Sequence, residues 1–521
     1  MKKHIVKIKV LLLFLVALVS CDSLDLGPLD YYGSENFWQN EAQVNGYILG
    51  VHSQIRGQHS TMWLLGESRG GLQKYGTGST GAALNNSSPF KDQDFTKDKT
   101  GISSWGGFYG PILSINLGIY QLENEVDFLS DDSKSYYLGQ LYGLRAFLYS
   151  YLYKTYGGVP IISDPKVMQG ENTAEPLYTE RSTPKAVLDF IKSDLSKSEN
   201  NFGSNLDIKD QKGSWSKYAT LMLKADIYLW SAKVTTGDQS PASGDLAVAE
   251  SALNEVKGKF SLLDQYSSVF DYNNKGNNEI IFALRFLETE ATTFHSLFRY
   301  QLNTIATKYL ADGSQAVDPL ETKGNGILRH EYIWPFFESY DELDSRKYST
   351  FLDIYDKDAS TEELINPGLT MRKFLGLINA DGNRVYSDDI PVYRYADVLL
   401  MLAEVENMKG GNPAQYINMV RERAYSDNYN PAEHAYTNGD FATNEQAILA
   451  ERDKEFVCEG KRWFDVRRMQ DASGNPLVFS DAVNYGNPAV LSTGEAHKLL
   501  WPVDVNTLNV DPKLDQTPGY E

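Results

Sequence analysis

Apolar residues recur along most of this chain with the period of a helix. Tyr218, Leu221, Met222, Ala225, Leu229 and Ala232 fall at i, i+3, i+4, i+7, i+11 and i+14, one face of a 3.6-residue repeat. Leu138, Leu141, Tyr142, Arg145, Tyr149 and Leu152 do the same, and Tyr395, Val398, Leu399 and Leu402 repeat the pattern. Thr183-Pro184 supplies an N-cap followed by proline at the first helical position, opening a helix through Leu195. Further helices are predicted over 35–56, 112–128, 246–256, 413–425 and 444–470. Strand alternation is scarce, with 279–286 the best short candidate. Three long stretches, 67–100, 288–389 and 471–521, show neither period. Loops of that length are uncommon in compact domains and are usually functional when ordered. The pattern predicts an all-α fold of helices carrying a large irregular, loop-rich binding portion. No low-complexity linker divides it.

The N-terminus follows a different rule. Lys2, Lys3, Lys7 and Lys9 precede an apolar run from Val10 to Val19, and Leu18-Val19-Ser20-Cys21 closes it. The run is too short for a stable membrane-spanning helix and has the layout of a secretory signal. Its last residues resemble a bacterial lipobox, so residues 1–20 are expected to be a lipoprotein signal peptide and Cys21 the acylated N-terminus. Each buried CH₂ of the acyl chains contributes about 0.8 kcal/mol, and no later apolar run competes as an anchor. Residues 22–32 read as a tether.

Charge narrows the partners. The chain carries a formal charge of −20, and loss of the signal lysines makes the remainder more acidic still. Such a chain binds neither nucleic acid nor an anionic lipid surface through a general field, which leaves anchoring to the lipid. Once Cys21 is acylated, Cys458 is alone and no intramolecular disulfide can form. Tyrosine outnumbers phenylalanine, 33 to 23. Most of these rings are expected to pack helices, and a few to line a site.

Two motifs invite a catalytic reading. Gly66-Glu67-Ser68-Arg69-Gly70 matches the G-x-S-x-G of a hydrolase nucleophile elbow. That elbow requires a following helix and an alternating β–α pattern. Here Gly70, Gly71, Gly76 and Gly78 follow, and the alternation is missing. Glu451, Glu455 and Glu459 share one helix face, near the separation of about 5–9.5 Å that a glycosidase pair needs. Arg452, Arg462, Arg467 and Arg468 lie in the same segment, and arginine holds a carboxylate ionised, so helical ion pairing is the better account. The seven histidines, His4, His52, His59, His295, His330, His434 and His497, include no pair at metal-binding helical spacing. There is no phosphate-cradling glycine loop. No metal, cofactor or catalytic residue is expected.

Sugar rings present flat C–H faces and hydroxyl edges, which exposed Trp and Tyr rings and nearby polar groups recognise. The irregular stretches hold Trp63 and Tyr75, then Tyr332, Trp334, Phe336 and Phe337. Each ring is either a stacking platform or a buried plug. Arg69 and Asn325 are the candidate polar partners.

These stretches together carry a resemblance. Leu144-Arg145-Ala146-Phe147-Leu148-Tyr149 runs on to Tyr156-Gly157-Gly158-Val159-Pro160, and the helix from Trp215 ends at Trp230. Arg394-Tyr395-Ala396-Asp397-Val398-Leu399-Leu400-Met401-Leu402-Ala403-Glu404 is followed by Asn407 and by Val420-Arg421-Glu422-Arg423-Ala424. Glu451-Arg452, Glu455, Glu459-Gly460, Arg462 and Phe464-Asp465 to Arg468 come next, then Pro512 to Tyr520 at the tail. Trp105 to Asn116 matches an early helix. In this order the motifs resemble the SusD/RagB family of outer-membrane nutrient-binding lipoproteins over nearly the whole mature chain. Asp511 and Thr517 depart from its asparagines.

The resemblance implies an all-α fold of tetratricopeptide-like helix pairs with an irregular ligand-binding part. It implies a helical part at about 33–260, the irregular part at 280–390 and a C-terminal part at 390–521 of one domain. It implies an outer-membrane, surface-facing lipoprotein, with Asp22 and Asp25 fitting export, that passes an oligosaccharide to a TonB-dependent SusC-like transporter. Some members take peptides instead. No catalysis is implied. Arg145, Arg394, Asp397 and Glu404 read as packing and ion-pair residues. No ligand contact carries over by motif. The binding candidates Trp63, Arg69, Tyr75, Asn325, Tyr332, Trp334 and Phe336 rest on ring chemistry and on loops 60–100 and 290–345, which by analogy converge on the ligand.

Overall fold

The computed structural model describes residues 37–78, 89–102, 104–166, 170–171 and 173–521. The signal segment, Cys21 and the tether at 22–32 lie outside the described residues. The longer helices are α1 (Glu41–Gly57), α2 (Tyr109–Asn124), α3 (Asp131–Tyr156), α4 (Pro184–Phe202), α5 (Lys217–Lys233), α6 (Asp245–Val256), α7 (Tyr395–Met408), α8 (Ala414–Tyr425), α9 (Phe441–Glu455) and α10 (Arg462–Arg468). Asn40, Ser130, Thr183, Ser216 and Asp440 each cap a helix by accepting from the backbone N–H three residues on. The Thr183-Pro184 start is where the sequence placed it.

Consecutive helices pack on one another: α2 on α3, α3 on α4, α4 on α5 and α5 on α6. Farther along, α7 packs on α8 and α9 and meets α6. This is the predicted mostly helical fold of stacked pairs. Helix α3 lies at the centre, buried almost continuously from Tyr136 to Tyr156. Its Gly143 lets Trp215 approach so closely that a Cβ would fall 2.1 Å from the indole nitrogen. Arg145 reaches from α3 to α4 with bonds of 2.7 and 2.9 Å to Asp194, and donates to Asn116 at 2.8 Å. The helix ends at Gly157, whose φ of 72° is the left-handed exit expected of the Tyr-Gly-Gly turn.

Two sequence readings needed revision. The predicted helix at 444–470 is two helices, α9 and α10, broken where Cys458 and Gly460 take φ of 63° and 73°. The stretch at 288–389 is not without strands. The strands are β1 (Gln73–Tyr75), β2 (Ile280–Leu284), β3 (His330–Tyr332), β4 (Phe351–Lys357), β5 (Leu364–Met371), β6 (Leu377–Ile378), β7 (Arg384–Val385) and β8 (Ile390–Arg394). They form antiparallel pairs β1–β3, β2–β8, β4–β5 and β6–β7. The predicted strand at 279–286 is β2, buried throughout and paired with β8. Pro367 and Gly368 inside β5 hide that strand from a propensity reading. Among the described residues no helix is long and apolar enough to cross a membrane.

The main core runs from Val44 on α1 to Tyr520 in the tail, so the C-terminus is part of the helical body. A second core joins Trp63, Phe298, Tyr332, Phe336, Phe351 and Cys458 beneath the irregular segment.

Candidate functional site

The G-x-S-x-G segment forms the joint between these two cores. Leu64–Ser68 is a π-helical turn, and Glu67 points from it into the interior. One Glu67 oxygen accepts from the Tyr332 hydroxyl at 2.8 Å and from Cys458 N–H at 2.9 Å. The other accepts from Gly460 N–H at 2.8 Å and Lys461 N–H at 3.3 Å. Burial pushes the Glu67 pKa up to about 7 against these four donors, which favour the carboxylate. A Cβ on Gly66 would lie 1.8 Å from the Gly460 carbonyl, and one on Gly70 2.2 Å from the Arg462 side chain. Close packing on the 458–462 turn therefore accounts for both glycines. Ser68 is buried and its hydroxyl has no hydrogen-bond partner. A buried hydroxyl with no hydrogen-bonded base among the described residues lacks the arrangement that activates a serine nucleophile.

Glu451, Glu455 and Glu459, on α9 and in the turn after it, are ion-paired. Glu279, Glu451, Glu455, Glu459 and Asp344 meet Arg346, Lys373, Arg394, Arg421 and Arg423 in one buried lattice. Arg394 has no exposed surface. It donates to Glu279 at 2.7 Å, to Glu455 at 2.5 Å and to Glu459 at 2.9 Å. Glu455 also meets Arg423 and Arg346. Burial opposes its charge, but three guanidiniums overcome this and hold its carboxyl far below the usual range, so it has no proton to give. A second lattice joins Lys233 to Glu404 and Glu445, and Glu404 to Arg468. Arg145, Arg394, Asp397 and Glu404 are the packing and ion-pair residues that the motifs implied.

The binding candidates divide by burial. Trp63, Arg69, Tyr332 and Phe336 are interior residues, at 4%, 0%, 2% and 0% exposure, and their placement corrects the expectation that they meet a ligand. Trp63 packs on Phe294, Phe298 and His330. Tyr332 binds Glu67, and Phe336 packs on Tyr340 and Tyr485. Arg69 stacks on Trp463 at 3.9 Å and lies near Trp501 and Phe95, and it donates to Gln93 and the Lys498 carbonyl. For Tyr332 the plug reading follows from strand β3, which is buried at all three residues and pairs with β1 opposite Gln73.

Tyr75, Asn325 and Trp334 reach the surface of the irregular segment. Asn325 is exposed, with its amide nitrogen donating to the Arg384 carbonyl at 3.1 Å. The Tyr75 hydroxyl donates to Asp92 at 2.5 Å, and the Lys91 ammonium lies 4.8 Å from its ring centre. Lys91 is tied to the carbonyls of Lys74 and Arg329, and burial lowers its pKa to about 7.

Trp334 belongs to an aromatic surface that the sequence reading found only in part. Its ring centre is 5.0 Å from Phe337 and 6.0 Å from Tyr355, at 75° to the latter. Phe337 in turn meets Tyr348, which is 40% exposed. Tyr355 donates to Asp353 and Tyr348 to Glu342, both at 2.8 Å. Partial burial, then Glu342, raises Tyr348 to about 12, so its hydroxyl stays a proton donor at neutral pH. Half-exposed rings next to fixed carboxylates can stack on a flat C–H face and accept from hydroxyl edges. Tyr355 was missed because β4 had not been recognised. Period-two reading of 351–357 would have placed Asp353 and Tyr355 on one side. Among the described residues no group of His, Cys, Asp and Glu comes together to hold a metal ion.

Comparison with known proteins agrees with this architecture. A SusD family model matches residues 347–520, and one described as "Starch-binding associating with outer membrane" matches 36–229. SusD-like protein P38 of Formosa agariphila is 24% identical over 98% of both chains. The crystal structure of a SusD superfamily protein from Bacteroides fragilis superposes with a TM-score of 0.87. It is 42% identical and covers 93% of this chain and 100% of its own. NanU of B. fragilis gives a TM-score of 0.82 at 33% identity, covering 95% of this chain and 100% of its own. A surface glycan-binding protein A from Bacteroides fluxus shares the fold, with a TM-score of 0.67 at 20% identity over 92% of this chain and 100% of its own. The arginine–glutamate lattice, the stacked helix pairs and these matches lead to one conclusion: the chain belongs to the SusD family.

Proposed function

We propose that this protein is a cell-surface lipoprotein, anchored through Cys21, that captures an oligosaccharide and delivers it to a TonB-dependent SusC-like outer-membrane transporter. It does no chemistry on its cargo. The observation that carries the reading is the aromatic surface of Trp334, Tyr348 and Tyr355, in which Glu342 holds the Tyr348 hydroxyl and Asp353 that of Tyr355. Tyr75 and Asn325 are the further contacts proposed on the same irregular segment. Family membership supports the outer-membrane and glycan assignments. The lipobox supports the anchor, and the acidity of the chain supports a neutral rather than polyanionic cargo.

Calorimetry against neutral oligosaccharides and against short peptides tests the cargo. Glycan binding that weakens in Trp334→Ala and Tyr355→Ala is expected. Binding of peptides alone would replace the glycan reading with peptide capture. Cys21→Ala is expected to spare affinity while impairing uptake by cells.

A further inference from the structure

A cleft of about 950 Å³ lies against the Tyr156–Gly158 turn and shares no lining residue with the aromatic surface. The chain closes it with segments far apart in sequence: the turn after α3, the start of α4, the loop after α5, the end of α10 and the C-terminal tail. Its volume suits a ligand the size of a dipeptide derivative. Val234, Pro476, Phe479, Leu499, Leu500 and Pro518 make much of its wall apolar.

Two arginines line this cleft, Arg181 and Arg467. Among the described residues neither forms an ion pair. Arg181 donates to the carbonyls of Gly158, Tyr156 and Asp515 and to the Thr517 hydroxyl, all neutral acceptors. Arg467 is 1% exposed. Its Nη1 donates to the Lys154 carbonyl at 2.6 Å, its Nε has no hydrogen-bond partner, and its guanidinium lies 4.9 Å from the Trp230 ring centre and 5.5 Å from that of Trp463, contacts that supply no negative charge. The two acids in the lining, Asp238 and Asp515, form no ion pair with either guanidinium, and Asp515 acts on Arg181 only at longer range. In a chain of charge −20, where Arg394 alone meets three carboxylates, Arg467 joins Arg69 and Arg299 as buried arginines that form no ion pair among the described residues, and of these three Arg467 is the one that lines the cleft. A buried guanidinium without a counter-charge is costly, and a planar carboxylate is the group its geometry fits. Burial without compensation also lowers the pKa of Arg467, to about 9.

We propose that this cleft is a second binding site, for a small molecule that carries a carboxylate on a largely apolar body. The carboxylate sits between Arg467 and Arg181, and the body lies on the Val234–Phe479–Leu500 wall. The site does not depend on the aromatic surface or on its cargo.

The test uses the purified protein, with calorimetry and thermal shift against N-acetyl-leucyl-leucine, its C-terminal amide, glucuronate and glucose. The free acid is expected to bind and to raise the melting temperature. The amide should bind at least tenfold more weakly, and added salt should weaken the acid. Arg467→Gln and Arg181→Gln should each reduce acid affinity at least tenfold, while Trp334→Ala leaves it unchanged. Equal binding of acid and amide, or no binding of either, overturns the site. So does unchanged acid affinity in folded Arg181→Gln, which decides the matter if Arg467→Gln does not fold. Glucuronate binding as tightly as the acid overturns the apolar-body assignment.

Discussion

The helical body and the irregular segment handle polar and aromatic side chains in opposite ways. In the helical body the charges are inside. Arg394, Arg423, Glu279, Glu455 and Glu459 have almost no solvent contact and are held by one another. In the irregular segment the interior is mainly aromatic, with Tyr332, Phe336 and Phe351 packed together, and its buried charges Asp344, Arg346 and Lys373 belong to the lattice it shares with the helices. Outside, Trp334 and Tyr348 are left partly bare. The first arrangement demands particular residues, because removing one charge leaves its partners buried and unpaired. The second tolerates change at its surface, where nothing inside depends on the ring. Recognisable motifs therefore concentrate in the scaffold, and the surface proposed to meet cargo carries no motif at all.

The sharpest break of this contrast is Glu455→Gln. It should cost about 3–5 kcal/mol in urea unfolding, because Arg394 and Arg423 lose their shared carboxylate. An effect below about 1 kcal/mol would overturn the account of the lattice as mutually dependent charges. Next comes a paired comparison. Phe336→Ala, inside, should cost about 3–5 kcal/mol, while Trp334→Ala should cost about 1 kcal/mol or less yet weaken glycan binding. Similar losses of melting temperature in both variants would erase the distinction between plug and platform.

The joint between the regions is pH-sensitive. Glu67 is raised from an ordinary 4.5 to about 7. A carboxyl with a raised folded pKa stabilises the fold fully below its unfolded value, and that contribution is lost as pH rises through the folded value. Stability should fall between about pH 5 and pH 8 by on the order of 3 kcal/mol, and Glu67→Gln should flatten the profile. A Glu67→Gln curve parallel to that of the parent protein would refute the assignment. The smallest effect belongs to Ser68→Ala. Its hydroxyl has no partner, so unfolding free energy should move by less than about 1 kcal/mol, and no hydrolytic activity should depend on it.

Much of the scaffold was legible along the chain because helices announce themselves locally. The period of Tyr218 to Ala232, the Thr183 cap and the Gly157 exit depend on neighbours within a few residues. The turn at 456–461 was not legible, since its stop signal is Glu67, nearly four hundred positions away, accepting from three of its N–H groups. Trp63 and Trp334 look alike as letters in loops. One is a core residue, with Phe294, Phe298 and His330 closing around it, and the other is half-exposed, with Phe337 and Tyr355 as its ring neighbours among the described residues.

Composition, helical period and caps thus determined the mostly helical fold and the acidic character of the protein. Ordered motifs pointed to its family. These properties follow from local geometry and from the sum of charges. Which rings face solvent, which glutamates are locked by arginine and which arginines lack a carboxylate were decided only when distant segments met. Burial and charge pairing belong to pairs of residues, and the chain order does not record which pairs form.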